Sequence, residues 1–281
     1  MTVFILYCMI ETARELRDFR LTKYRICSPK LNGIRGTKKI IFLSDLHNRM
    51  YGKENERLLE SIKNQHPDLI LIGGDMLVRK DGNSYDRTVR FLEKLPAICP
   101  VYCANGNHEQ KLKELPDKYE QSYEGYKKAL TACGIHMLEN ASETVRLDEA
   151  PVRISGLEIP LGVYARFGKK DLPLKEITDR IGEHGEEYQI LFAHHPGYIQ
   201  EYLEYGADLI LSGHYHGGIV RIGRHNGLLS PQLHPFPKFC CGDFHRKEQH
   251  MLVSAGAGEH TIPVRIHNPR ELLMVDLKPN A

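Results

Sequence analysis

Five short apolar runs in this chain end directly in polar residues of the types that bind metal ions. Helix-like segments separate the first runs, and an alternation of strand and helix predicts parallel strands in one sheet. Because the carboxyl ends of parallel strands share one edge of a sheet, polar residues distant in sequence are expected to meet there. The polar segments are Asp45-Leu46-His47, Gly74-Asp75, Gly106-Asn107-His108-Glu109, His194-His195 and Gly213-His214-Tyr215-His216.

The spacing inside these segments also suits metal binding. Asp45 and His47, and likewise His214 and His216, stand two residues apart, which places both side chains on one side of an extended segment. Each short motif is common in proteins that bind no metal. All five follow strand-like runs here, however, and together they contain six of the fifteen histidines. The combination predicts one shared metal site.

The rest of the chain predicts an α/β fold in which a second, mixed sheet follows the parallel one. Short strands between residues 135 and 155 have hairpin spacing and are expected to begin a second sheet. Residues 251–254 and 272–277 are expected to complete that sheet. Residues 162–180 predict a flexible insertion, and residues 225–249 predict a long loop.

Charge is distributed unevenly along the 281 residues. Residues 1–40 contain nine of the 38 Lys and Arg and three of the 36 Asp and Glu, so the remaining chain is slightly acidic. A nucleic-acid-binding protein normally has a basic body, so no nucleic-acid partner is expected. Seven cysteines, an odd number without a C-x-x-C pair, indicate reduced thiols and a cytoplasmic location.

The N-terminal segment combines an apolar tip with basic residues. The apolar run 3–10 is too short to span a hydrocarbon core of ~30 Å. Residues 3–21 predict one helix, and a short strand is expected after it. Two alternatives remain open for residues 1–20: peripheral contact with an anionic membrane at its inner face, or packing on the domain.

In this order, DxH, GD, GNHE, HxP and GHxH resemble the signature of calcineurin-like metallophosphoesterases. The resemblance extends over residues 40–277. LSGHYHGG at 211–218 and PVR at 263–265 are similar to a bacterial, membrane-associated branch that includes phosphodiesterases acting on UDP-diacylglucosamine-type substrates. The resemblance implies a four-layer α/β/β/α sandwich of two mixed sheets flanked by helices. It also divides the chain into an N-terminal helix and lead-in strand, 1–36, and a metallophosphoesterase domain, 37–281.

The resemblance implies two divalent metal ions, with Asp75 bridging them. The mixture of imidazole nitrogen with hard oxygen suits Mn²⁺ best, and Fe²⁺ or Zn²⁺ are also compatible. His195 competes with His194 as a ligand, and His194 matches the family position. The implied ligands of the first metal are Asp45, His47, Asp75 and His216, and those of the second are Asp75, Asn107, His194 and His214.

The implied reaction is dinuclear hydrolysis of phosphate esters, with phosphodiester or pyrophosphate bonds preferred. A hydroxide bridging the metals would attack phosphorus, and His108 would protonate the leaving oxygen as general acid. Glu109 would either orient His108 or be solvated. Two alternatives stay open: a phosphomonoesterase acting on a small soluble substrate, and a metal-binding, non-catalytic module at a membrane surface.

Several further residues are weaker candidates. Val78 and Gly197 stand where the family pattern has acidic residues, which leaves the orientation of the ligands open. Arg246 and Lys247 could contact a phosphate or head group, but a solvated loop pair is favoured. Arg265 could reach the site, whereas His260 is expected to be a loop residue. The substrate is a phosphate ester, lipid-linked if the branch resemblance holds, and no residue can be assigned to its recognition from sequence.

Overall fold

A computed structural model describes residues 1–78, 84–164, 171–230, 235–259 and 263–280. Helices α1 to α7 span Thr2–Glu15, Glu56–Lys63, Asp86–Leu92, Asn107–Glu114, Tyr123–Ala132, Leu174–Ile181 and Ile199–Tyr205. Strands β1 to β14 span Phe19–Ser28, Lys38–Leu43, Leu69–Ile72, Val101–Cys103, Ile135–Met137, Ala141–Leu147, Ala150–Leu157, Tyr188–Ala193, Leu209–Ser212, Arg221–Ile222, Asn226–Gly227, Gly242–Arg246, Gln249–Val253 and Arg270–Pro279.

Two six-stranded mixed sheets form the centre of the fold. The first has the order β1-β14-β2-β3-β4-β5, and β2 to β5 are parallel. The second has the order β12-β13-β9-β8-β7-β6, in which the four inner strands are parallel and both edge strands are antiparallel. The predicted α/β class with two mixed sheets is therefore confirmed.

The sheets pack face to face, and helices cover their outer faces. Phe42 of the first sheet and Phe192 of the second meet in the core between the sheets, with ring centroids 6.4 Å apart. On the outer face of the first sheet, Ile41 packs with Leu58 of α2. On the outer face of the second sheet, Ile210 belongs to the cluster that contains residues of α6 and α7. Strands buried on both faces explain the nearly continuous apolar runs.

Two strands lie in a different sheet from the one predicted. β5 pairs with β4 at the edge of the first sheet, so the second sheet begins at β6. β14, which contains residues 272–277, inserts between β1 and β2 of the first sheet. Both sheets bury two apolar faces, so the local pattern of these strands does not indicate which sheet they join.

The prediction of one helix over residues 3–21 is wrong beyond Glu15. From Phe19 the chain forms β1, which runs parallel to β14 over ten residues. Its apolar residues alternate with polar ones, the period expected of a strand at the edge of a sheet. The domain boundary at residue 36 stays a prediction.

The two irregular segments contain regular structure. The end of the predicted insertion forms most of α6, whose Ile177 and Ile181 are buried in the outer core of the second sheet. The predicted loop 225–249 contains β12, which pairs with β13. His260 and residues 165–170 lie outside the described residues.

Candidate metal centre

The carboxyl ends of β2, β3, β4, β8 and β9 bring the predicted ligands together. All seven are buried, and His108 is buried beside them. Three groups each offer one ligand atom per residue within 4.8 Å of one another. These groups are Asp45 with His47 and His216, Asp75 with His194 and His214, and His47 with Asp75 and His108.

The first group assembles residues that follow β2 and β9. Nε2 of His216 lies 3.2 Å from Oδ1 of Asp45 and 3.1 Å from Nε2 of His47. The backbone N–H of His214 donates to the same Oδ1 of Asp45 over 3.0 Å. Nitrogen and oxygen atoms that converge in this way from two sheets can ligate a single cation.

The second group is centred on Asp75. Its Oδ2 lies 3.2 Å from Nε2 of His194 and 3.7 Å from Nε2 of His47. Its Oδ1 accepts a hydrogen bond of 2.8 Å from the backbone N–H of His108. Asp75 therefore contacts histidines of both sheets, which is the position expected of a carboxylate that serves two ions.

His194 is oriented for ligation. Its Nδ1 lies 2.8 Å from the carbonyl oxygen of Gly73, which can only accept, so Nδ1 carries the hydrogen and Nε2 is left as the ligand atom. His195 points elsewhere, since its Nδ1 accepts from the N–H of Gly197 over 3.0 Å. Among the described residues, none of the three groups contains His195.

One polar atom in the centre, Oδ1 of Asn107, is buried without a hydrogen bond in the described part of the chain. A buried polar atom without a partner costs about 1–3 kcal/mol, so such atoms are rare unless an unseen partner satisfies them. The unpaired Oδ1 of Asn107 and the ligand atoms of the Asp, His and Asn side chains fit divalent cations.

The backbone is strained where the ligands lie. Five candidate ligands have a positive φ, an uncommon conformation for residues other than glycine. Glycine is required nearby: a Cβ on Gly213 would lie 2.0 Å from Oδ2 of Asp45, and one on Gly74 would lie 2.0 Å from the backbone nitrogen of Gly106. The five residues with a positive φ are Asp45, His47, Asp75, His214 and His216.

Electrostatics keep both carboxylates ionised. Burial opposes their charge, but His216 and His194 hold the pKa of Asp45 below its usual range, and His194 and His108 do the same to the pKa of Asp75. Burial and His108 lower the pKa of His47. Although burial alone would lower it, the pKa of His194 is raised to about 10 by Asp75 and Asp45. His194 must therefore lose a proton before it binds a cation.

Sequence analysis missed the role of Glu109. Its carboxylate is buried and accepts hydrogen bonds from the backbone N–H groups of Asp75, Met76, Leu77 and Gly106, at 2.8 to 3.3 Å. Glu109 is therefore not solvated, and it fixes the loop that carries Asp75. It stands three residues after the N-cap Gly106 of α4, a capping-box spacing that would have indicated the bond to Gly106 but not those to the loop after β3.

Arg265 and Asn268 support His216. Arg265 Nη2 lies 3.5 Å from Nδ1 of His216, and it donates to the carbonyl oxygens of Ala255 and Gly258 over 2.8 and 2.7 Å. Asn268 Nδ2 donates to the carbonyl oxygen of His216 over 2.7 Å. Arg265 thus lies behind the candidate ligand His216, where its guanidinium contacts the imidazole and two backbone carbonyl oxygens. The role of Asn268 had no sequence signal.

Tyr164 covers the second group. Its buried ring lies 5.1 Å from the ring of His214 and 6.5 Å from that of His194, centroid to centroid. Tyr164 lies in the segment that was predicted to be a flexible insertion. Because its neighbours in sequence are polar, the sequence did not indicate that Tyr164 would be buried at the centre. Arg246 and Lys247 lie at the exposed turn between β12 and β13, outside the three groups.

Comparison with known proteins agrees with the fold and the site. The family profile described as calcineurin-like phosphoesterase matches residues 38–218, more than half of the chain. Two sheets with a buried, histidine-rich and carboxylate-rich centre at their strand ends define a metal-dependent hydrolase of phosphoric esters. The chain belongs to the calcineurin-like phosphoesterase family.

Three bacterial relatives extend this comparison. YkuE of Bacillus subtilis, named an uncharacterized metallophosphoesterase, is 27% identical over 246 residues, which cover 85% of this chain and 79% of YkuE. YkoQ of the same organism, with the same description, is 24% identical over 269 residues, 94% of this chain and 92% of YkoQ. YaeI of Escherichia coli, named a phosphodiesterase, is 24% identical over 264 residues, 92% of this chain and 88% of YaeI.

Proposed function

We propose that the chain hydrolyses phosphodiester or pyrophosphate bonds at a dinuclear metal centre. The observation that carries the proposal is the position of Asp75, whose Oδ2 lies within 3.7 Å of Nε2 of both His47 and His194. Asp75 also belongs to two of the three ligand groups. The name of the relative YaeI, a phosphodiesterase, supports the choice of bond.

The proposed ligands fall into two sets that share Asp75. Mn²⁺ is the proposed metal, with Fe²⁺ and Zn²⁺ as the alternatives that the donors also suit. When bound, such cations offset charge on phosphate oxygens and lower the pKa of a coordinated water. The first set is Asp45, His47, Asp75 and His216, and the second is Asp75, Asn107, His194 and His214.

His108 is the proposed general acid. Its backbone N–H is held by Oδ1 of Asp75, and its ring lies 4.8 Å from the ring of His47, centroid to centroid. It occupies the first turn of α4, which fixes its backbone at the edge of the centre. From there its imidazolium N–H can give a proton to the departing oxygen of the substrate.

The direct test is turnover of bis(p-nitrophenyl) phosphate by the purified chain with added Mn²⁺. We expect turnover that stops on chelation and returns with Mn²⁺. His136→Ala, at an exposed histidine of β5, is a matched control that should keep full activity. Turnover of p-nitrophenyl phosphate alone would favour the phosphomonoesterase alternative. No turnover of either ester would favour the non-catalytic alternative.

We also propose that α1 contacts an anionic membrane. Its apolar residues are exposed, Phe4 to 69% and Met9 to 64%, whereas its acidic Glu11 and Glu15 are buried. A helix that packs on a domain normally buries its apolar side chains instead. In the described part of the chain, no helix has the length and apolarity needed to cross a membrane.

The charge and the shape of the N-terminal region also favour membrane contact by α1. Residues 1–40 contain nine Lys and Arg against three Asp and Glu, and each cation near an anionic surface contributes about 1 kcal/mol. A largely apolar groove of about 510 Å³ lies between α1 and residues Val264 and Ile266, which flank Arg265. An apolar groove could hold acyl chains, which favours a lipid-linked substrate of the UDP-diacylglucosamine type. The proposed location is the inner face of the membrane.

A further inference from the structure

The β12–β13 hairpin places three metal-binding side chains on one face. Asp243 and His245 stand two residues apart on β12, so both point to the same side of the strand. His250 of β13 is directly opposite His245 in the strand register. Phe244, between them, points to the other face and packs against the outer core of the second sheet.

The three side chains are close enough to share a cation. Nδ1 of His250 lies 3.0 and 3.2 Å from the two carboxylate oxygens of Asp243. The rings of His245 and His250 have centroids 5.6 Å apart. One ligand atom from each residue lies within 4.8 Å of the others. A hydrogen bond between Asp243 and His250 does not involve His245. His245 adds a second imidazole nitrogen that can ligate a metal on the same face.

The cluster borders an open cavity. This cavity of about 590 Å³ lies between the edge strands β1 and β12 of the two sheets, and Asp243 and His245 line it. Its wall also carries Glu271, which adds negative charge, and the arginines 20, 221 and 224, which add positive charge. The side chains of His250 and Asp243 are 18% and 29% exposed, so a cation can reach them from solvent.

We propose that Asp243, His245 and His250, the hairpin cluster, bind Zn²⁺ separately from the catalytic centre. Two imidazoles and one carboxylate form a donor set that Zn²⁺ accepts, with ligand bonds of about 2.0–2.2 Å. His245 is exposed and can change rotamer to complete the site without repacking the core. Three protein ligands leave the fourth position to water from the cavity. The cluster shares no residue with the three catalytic groups.

Zinc stoichiometry of the full chain tests this proposal. Wild type, His245→Ala, Asp243→Asn and the control His184→Ala are incubated with Zn²⁺, separated from free metal by gel filtration, and assayed by elemental analysis. His184 is an exposed histidine outside the hairpin, so its variant controls for loss of a surface imidazole. We expect both hairpin variants to hold one zinc equivalent fewer than wild type and the control.

A second readout separates binding from folding. Zn²⁺ should raise the melting temperature of wild type and His184→Ala by more than that of His245→Ala, since only a ligand that binds the native state stabilises it. His245→Ala is expected to keep the circular dichroism spectrum of wild type, because the side chain is exposed. The proposal is overturned if His245→Ala and Asp243→Asn hold as much zinc as wild type. The comparison is independent of whether the catalytic centre holds one metal, two or none.

Discussion

The carboxylate of Glu109 accepts a hydrogen bond of 2.8 Å from the backbone N–H of Asp75. Its second oxygen accepts from the N–H of Met76 over 2.8 Å. The first turn of α4 thereby holds the loop after β3 in the conformation that presents Asp75 to both sheets. Burial and the charge of Asp75 raise the pKa of Glu109 to about 7, so these hydrogen bonds are needed to stabilise its ionised form.

Glu109→Gln should weaken the metal centre. Glutamine keeps the shape but turns an amide NH₂ toward backbone N–H donors, so at least one hydrogen bond is lost. Loss of groups that orient metal ligands typically costs about 10–100-fold in metal affinity or activity. Metal titration of Glu109→Gln and of Glu114→Gln, at the exposed end of the same helix, is the measurement. Equal affinities in the two variants would show that Glu109 does not support Asp75.

His108→Ala should keep the metals and lose rate. General acid catalysis contributes about 10²–10⁴-fold, and its loss should be largest for esters with a poor leaving group. A nitrophenolate leaving group needs little protonation, so its hydrolysis should fall less. The measurement compares kcat for a nitrophenyl and an alkyl diester in both proteins.

Two results would contradict that role for His108. An equal loss for good and poor leaving groups would exclude proton donation to the leaving oxygen. Loss of a metal equivalent in His108→Ala would instead indicate a ligand, because His108 also lies within ligand reach of His47 and Asp75.

The residues that meet at the strand ends were easier to predict from sequence than the residues that contact them from behind. The ligand positions follow strand ends, and strand ends are visible as apolar runs that stop at polar motifs. Arg265 and Asn268 reach His216 from a segment that is distant in sequence, through contacts that only the tertiary fold creates. For Glu109, the spacing to Gly106 indicates one local hydrogen bond, but its bonds to the loop that carries Asp75 are tertiary contacts too.

The order of strands in the sheets was harder to predict. β14 comes last in the chain yet lies between β1 and β2, and it forms hydrogen bonds with both of them. Local periodicity fixes which faces of a strand are apolar but carries no information about its neighbours. The end of α1 was misjudged for a related reason: Ala13, Leu16 and Phe19 happened to have helical spacing.

Glu139 should make stability depend on pH. Burial favours its neutral form, but Lys127 and Lys113 hold its pKa below the usual 4.5. As pH falls, Glu139 therefore becomes protonated in the unfolded chain at a higher pH than in the folded chain. Its contribution to the free energy of unfolding is complete above about pH 4.5 and is lost as pH falls through the lower folded-state pKa.

Glu139→Gln measures that contribution. At pH 7 we expect the variant to be less stable by about 1 kcal/mol, since Glu139 pairs with partly exposed lysines. The difference in free energy of unfolding, measured by urea titration, should shrink toward pH 3. A difference that stays constant from pH 7 to pH 3 would exclude an ion-pair contribution from Glu139.

Sedimentation with lipid vesicles tests the membrane contact of α1. The full chain should bind vesicles containing anionic phospholipid, bind less as salt rises, and ignore neutral phosphatidylcholine vesicles. Phe4→Ser and Met9→Ser should weaken binding, since both residues are exposed. Leu174→Ser, at an exposed apolar residue of α6, should not. No binding of the full chain at low salt would contradict the proposal.

Metal stoichiometry of Asp75→Asn beside Asp45→Asn tests the dinuclear centre most directly. Asp75 contacts histidines of both ligand groups, so its loss should lower occupancy by both metals and abolish phosphodiester turnover. Asp45 lies closest to His216, at 3.2 Å, and belongs to only one of the three ligand groups, so Asp45→Asn should lose about one equivalent and keep the other.

Elemental analysis of active wild type should give two equivalents per chain, with fewer in Asp75→Asn than in Asp45→Asn. Identical occupancy in the two variants, or full activity of wild type with no bound transition metal, would contradict a dinuclear centre bridged by Asp75.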